Sequence, residues 1–140
     1  MAGIDDEKLI ELAWNRFEEC CDSKRTLSSN SGIIIGVDSI IIGLLVNYNI
    51  NITIFISLCL LFVSAFISLT LLTGLPFKSI HLHGFWEDAQ NQEDQNAYLY
   101  STISEIVDTN QEKMNWLWIQ HNRSIAFLIT SLFFLLIGEF

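Results

Sequence analysis

Residues 32–75 read GIIIGVDSIIIGLLV (32–46), NYNIN (47–51) and ITIFISLCLLFVSAFISLTLLTGL (52–75). Two long apolar runs thus flank five residues that carry no charge and no proline. A third run, SIAFLITSLFFLLIG, covers residues 124–138. The hydrocarbon core of a bilayer is roughly 30 Å thick and takes about 20 helical residues to cross. The middle run meets that length alone, and the outer two meet it once their flanks are counted. The expected fold is an all-α integral membrane protein with three transmembrane helices over residues 30–47, 52–75 and 123–138. The first two form a tight hairpin, and the third is a C-terminal span.

Hydrophobic residues make up 51% of the 140 positions and charged ones 16%, with a mean hydropathy of +0.39. Most of that apolar content lies in the three runs, so the rest of the chain is strongly polar. The length suits one compact unit, a single membrane domain over residues 1–140. A net charge of −9 argues against nucleic acid as a partner, because phosphate binding needs clustered Lys and Arg. It also gives no polybasic anchor for anionic lipid.

The basic residues set the expected orientation. Lys8, Arg16, Lys24 and Arg25 precede the first run, Lys78 follows the second, and Lys113 and Arg123 precede the third. Orientation follows Lys and Arg rather than net charge, so all of them face the cytoplasm if the N-terminus does. The first apolar run lacks the short basic start of a secretory signal, and the first span is expected to remain. Cys20 and Cys21 would be cytoplasmic and Cys59 within a span, with neither a metal spacing nor a disulfide framework. Acylation of Cys20 or Cys21 is an alternative to inert thiols.

Before the first span, Ile10, Ala13, Trp14, Phe17 and Cys21 recur at helical steps, which predicts an amphipathic helix over residues 5–25. Asp5, Asp6 and Glu7 in its first turn and Lys24 and Arg25 in its last match the helix dipole. Interfacial helices usually carry Lys and Arg on the polar face. This one carries Glu11, Glu18 and Glu19, which favours packing on protein. Residues 26–31 (TLSSNS) read as a polar hinge. Gly74 and Pro76 close the second span. Residues 76–122 form a cytoplasmic insert: a loop over HLHGFWEDAQNQEDQ (81–95), then a helix from about Asn96 that can run unbroken into the third span. Leu99, Ile103, Ile106, Val107, Met114 and Leu117 share its apolar face, interrupted by Asn110. Trp116 and Trp118 then fall near the inner interface.

Two features inside the spans stand out. Gly32, Gly36, Ser39 and Gly43 lie within about 60° of one another on a helix and make a ridge of small residues. The ridge suits close packing, either within the hairpin or between subunits. Asp38 lies mid-span and about 120° off that ridge. An acid there costs about 2.5–3.5 kcal/mol, so it should face protein or water. Ser57 and Ser64 on the second span, with Thr130 and Ser131 on the third, are its expected polar neighbours. A structural acid bonded to a hydroxyl, an acid near the cytoplasmic edge and a functional acid are all open readings.

Other residues carry less. His81 and His83 form an H-x-H without the further ligands a metal site needs, so no metal is expected. Asn51-Ile52-Thr53 and Asn122-Arg123-Ser124 match glycosylation sequons, but one hugs the membrane and the other is cytoplasmic in this topology. No phosphate loop, nucleophile elbow or paired catalytic carboxylate is present, and an enzyme is not expected.

The order of parts, with Asp22, Ser23 and Lys24 just before GIIIG and the approach from Lys113 to Arg123 to the last span, resembles the transmembrane module of Pycsar effectors of bacterial anti-phage defence. Arg25 stands where that family usually has alanine, and Asp38 is not part of its pattern. The resemblance implies an effector of the cell inner membrane that oligomerises and impairs membrane integrity on a cyclic-nucleotide signal. No other cofactor is implied. Two other functions fit the residues: a structural or regulatory subunit recruiting a cytoplasmic protein partner, and an ion or proton pathway through Asp38.

Overall fold

The computed structural model describes residues 6–46, 51–74, 76–80, 82–90 and 94–138. Among these the chain is all-helical: α1 (Asp6–Leu45), α2 (Ile52–Thr73), α3 (Leu82–Gln90) and α4 (Gln95–Gly138). Three of them, α1, α2 and α4, are long and apolar enough to cross a membrane. At 1.5 Å per residue the 22 residues of α2 extend about 33 Å, matched to one hydrocarbon core. The 40 residues of α1 and 44 of α4 extend about 60 and 66 Å, roughly twice that thickness.

Local chemistry explains where α2 begins and ends. Asn51 caps its start, its Oδ1 accepting from the Ile54 N–H at 2.8 Å and the Thr53 hydroxyl at 2.6 Å. Gly74 ends it with φ at 67°, a left-handed geometry that costs glycine little, and its N–H returns to the Thr70 carbonyl at 3.1 Å.

Three details depart from the sequence reading. Residues 26–31 are not a hinge, because α1 runs through them without a break. The segment holds neither proline nor glycine, and the buried positions Ala13, Cys20, Leu27 and Ile34 recur every seventh residue across it. The expected loop over 81–95 contains α3, because Phe85 and Ala89, four residues apart, give it a face to bury. On the stripe of α1 it is Cys20 that is buried, while Cys21 is exposed.

The chain divides into two units, residues 1–24 with 76–115 and residues 25–75 with 116–140. In the first, Ala13, Phe85, Ala89, Leu99, Ile103 and Val107 form the core, with Ile10, Trp14, Phe17, Ile80 and Tyr98 packed against it. The apolar face at the start of α1 is thus spent on protein. Residues 76–80, outside any helix, are strapped to α4. Asn110 Nδ2 donates to the Lys78 carbonyl at 3.0 Å, and the Lys78 N–H donates to Asn110 Oδ1 at 2.9 Å. Lys113 Nζ adds a bond to the Pro76 carbonyl at 2.7 Å. Asn110, which breaks the apolar stripe in sequence, is therefore the residue that satisfies the Lys78 backbone in a segment without helical bonds of its own. The exposed pairs Arg16–Asp108 and Lys78–Glu105, at 3.4 and 3.3 Å, add at most about 1 kcal/mol each.

Asn110→Ala removes both bonds and leaves the Lys78 amide and carbonyl without partners. It should cost about 1–3 kcal/mol, read as a lower midpoint in thermal or denaturant unfolding followed by circular dichroism. Burial, reinforced by Cys21 beside it, pushes the Cys20 thiol up. In a Cys59→Ser background a maleimide at neutral pH should therefore label Cys21 well before Cys20. Equal rates, read by peptide mass, would contradict the burial of Cys20.

Candidate functional site

The second unit has an interior unlike that of a water-soluble protein. Among the described residues its buried side chains include eight polar ones against six apolar: Ser31 and Asp38 on α1, Ser57, Ser64 and Ser68 on α2, and His121, Ser124 and Ser131 on α4. Its large apolar side chains, among them Ile40, Phe55, Phe62, Phe66, Phe133 and Leu136, point outward and are more than half exposed. That inverts the usual soluble pattern and matches helices that meet lipid with bulky residues and one another with small ones.

The serines join α2 to α4. Ser64 Oγ donates to the Ser124 carbonyl at 3.1 Å, and Ser124 Oγ donates to the Ser64 carbonyl at 3.1 Å. Ser68 Oγ lies 2.6 Å from Ser124 Oγ, which is 3.2 Å from Ser64 Oγ. Ser57 Oγ donates to the Ser131 carbonyl at 2.9 Å. As α2 advances from Asn51 through Ser57 to Ser64, its partners in α4 retreat from Gly138 through Ser131 to Ser124, so the two helices run antiparallel. At the end of this contact a Cβ on Gly138 would overlap the Thr53 hydroxyl, so the approach there depends on glycine.

Asp38 is fully buried in this interior. The Ser64 hydroxyl adjoins its carboxyl, yet Ser64 Oγ is engaged with Ser124, and neither carboxylate oxygen has a hydrogen-bond partner. Ser31 Oγ and His121 Nδ1 are also buried without partners. Each such group costs about 1–3 kcal/mol relative to a bonded one. No partnerless buried side-chain atom of this kind occurs among the described residues of the first unit.

The residues singled out in the sequence separate here. Asp38, Ser57, Ser64 and Ser131 are brought to the interior, whereas Thr130 is exposed and bonds its own Ala126 carbonyl at 2.7 Å. Gly36, Ser39 and Gly43 are exposed and Gly32 partly so. Among the described residues nothing lies within 4 Å of a Cβ built at any of the three glycines. Among the described residues, these three glycines therefore have no close neighbour from elsewhere in the chain. Asp22 is exposed and Ser23 half-buried, and Lys24 sets its Nζ 4.4 Å from the Phe77 ring centroid in the first unit. His81 and the His83 side chain lie outside the described residues, and no group of three or more His, Cys, Asp or Glu suited to a metal occurs among those described.

His121, Ser31, Ser68 and Ser124 were missed in the sequence reading. His121 is 4% exposed, with its ring edge-on to Trp118 at 5.5 Å between centroids. A signal for the hydroxyls existed: Ser31 and Asp38, Ser57 and Ser64, and Ser124 and Ser131 are each seven residues apart, two helical turns. No protein-family model matches the chain, and no curated protein and no solved structure matches it either.

Proposed function

We propose that the chain is a multi-pass protein of the cell inner membrane, and that copies of it associate in the bilayer and impair its integrity on a signal. Its spans are residues 30–47, 52–75 and 123–138, with a cytoplasmic N-terminus and a cytoplasmic insert over residues 76–122. The inverted burial of the second unit supports the membrane location, and the placement of Lys and Arg supports the orientation.

The observation that carries self-association is the open ridge of α1. A helix exposing Gly32, Gly36, Ser39 and Gly43 in a line, with Ile33, Ile40 and Leu44 beside it, presents the surface that lets another helix backbone come close. The effector reading follows from that surface together with the likeness to Pycsar effectors, in which a cyclic nucleotide is the trigger. Four of the seven basic side chains, Arg16, Lys24, Lys78 and Lys113, are engaged inside the first unit. A nucleotide signal would then reach this chain through a cytoplasmic protein partner. The exposed carboxylates Glu11, Glu18, Glu19 and Glu112 offer such a partner an acidic face. The same face favours the second reading, a regulatory subunit without membrane-damaging activity, for which co-purification without toxicity is the distinguishing result.

For the topology, single cysteines replacing Asn49 and Gln90 in a cysteine-free background should label from opposite sides of the membrane with an impermeant reagent. Labelling of both from one side would end the three-span arrangement. For self-association, Gly36→Ile should hold the backbones apart and weaken oligomers in bilayers at least about tenfold, or about 1.4 kcal/mol, with toxicity on induction falling in parallel. An unchanged oligomer distribution would remove the ridge as a subunit contact.

A further inference from the structure

The polar interior of the second unit has a direction. Near one end stands His121, buried, with Nδ1 unpartnered, and one turn further along α4 is Ser124. The Ser124 hydroxyl lies 2.6 Å from that of Ser68 and 3.2 Å from that of Ser64. Ser64 adjoins Asp38, whose two carboxylate oxygens have no hydrogen bond. Beyond it, Ser57 and Ser131 are joined at 2.9 Å. Serine-to-backbone bonds alone account for the close packing of α2 on α4. They do not account for a fully buried acid without hydrogen-bond partners and a buried histidine with its Nδ1 unpartnered, at two levels of the same interior.

We propose that this interior is a proton relay within a single chain, with Asp38 as its proton-binding site and His121, Ser124, Ser68 and Ser64 leading to it. The hydroxyl oxygens are too close together to admit a cation between them, so the transferable species is the proton. Each serine passes it on without net change: its oxygen accepts a proton from the preceding donor and releases its own to the next acceptor. Asp38 carboxylate gains that proton as a carboxylic acid, and releases it toward the Ser57–Ser131 level with the electron pair returning to the carboxylate. Water supplies the links wherever the side chains themselves do not meet. The buried residues of α2 are all serine or leucine, and those of α4 beyond His121 are Ser124 and Ser131, none of them charged. His121 is the other titratable group buried among the described residues of this interior, while Arg25 and Arg123 are exposed. Ionisable residues inside a span that face other helices or water are the usual components of proton pathways. The inference rests on the membrane reading and is independent of self-association.

The test uses the full chain reconstituted in liposomes that hold a pH-sensitive dye, with valinomycin and potassium clamping the potential. An imposed pH gradient should collapse faster than in protein-free vesicles. Asp38→Asn should lower the rate by about a hundredfold or to the protein-free level, Asp38→Glu should restore much of it, and Ser64→Ala should slow it while keeping the acid. Wild-type rates in Asp38→Asn overturn the relay. If Asp38→Asn does not insert, unchanged flux in Ser64→Ala overturns it instead. Sodium or potassium flux with the same dependence on Asp38 would refute the proton assignment. A rate per chain that climbs steeply with protein density would place conduction between copies and overturn the single-chain route. Release of wild-type protein from the vesicles by alkaline carbonate would defeat the membrane reading and the relay together, whereas loss of the Asp38 dependence in inserted protein defeats the relay alone.

Discussion

The reciprocal bonds between Ser64 and Ser124 are the contact on which the second unit depends. Each hydroxyl reaches the backbone carbonyl of the other residue at 3.1 Å, which happens only where two helices approach with nothing larger than a serine between them. That spacing leaves little room for leucine or phenylalanine at the same level, so the bulky residues turn outward. It also leaves the Ser64 hydroxyl beside Asp38. In lipid, apolar burial supplies no drive for helices to associate, and packing of small residues with bonds between helices supplies it instead.

The same repeat serves two kinds of interior. Ile103, Asn110, Leu117, Ser124 and Ser131 follow one another at seven-residue steps along α4 and are all buried. Through the first unit the repeat and its companions are mostly apolar, with Leu99, Val107 and Met114 buried beside it. In the second unit the repeat turns to small hydroxyls. A period of 3.5 keeps one face of a helix turned to its neighbours over a long distance. What changes along that face is the chemistry that makes burial favourable, apolar where water is the alternative and hydrogen-bonded where hydrocarbon is.

Much of this was legible in the residues because it rests on local rules. Three apolar runs announced three long helices, Gly74 and Pro76 announced the stop of α2, and the apolar stripe after Asn96 announced a helix that continues into the last run. The continuity of α1 was harder to read, because TLSSNS looks like a linker by composition. Only the recurrence of Ala13, Cys20, Leu27 and Ile34 overrides that appearance. Helix α3 was hidden for a related reason: two residues, Phe85 and Ala89, are too few to make a periodic signal amid amides and acids. The inward turn of Ser131 and outward turn of Thr130 depend on which face α4 shows to α2. The burial of His121 likewise follows from helix packing and not from any motif around it.

The spacing of the serine bonds has a mechanical consequence. Ser57 and Ser64 on one helix, and Ser131 and Ser124 on the other, form rungs about 10.5 Å apart along the helix axes. Sliding α4 along α2 by a single turn would bring Leu128 or Gln120 to positions built for serine, and the hydroxyls would face no free acceptor. The next matching alignment lies a full two turns away. Small creeping displacements between these helices are therefore disfavoured, and any sliding rearrangement of the pair would have to occur as one large, cooperative slip.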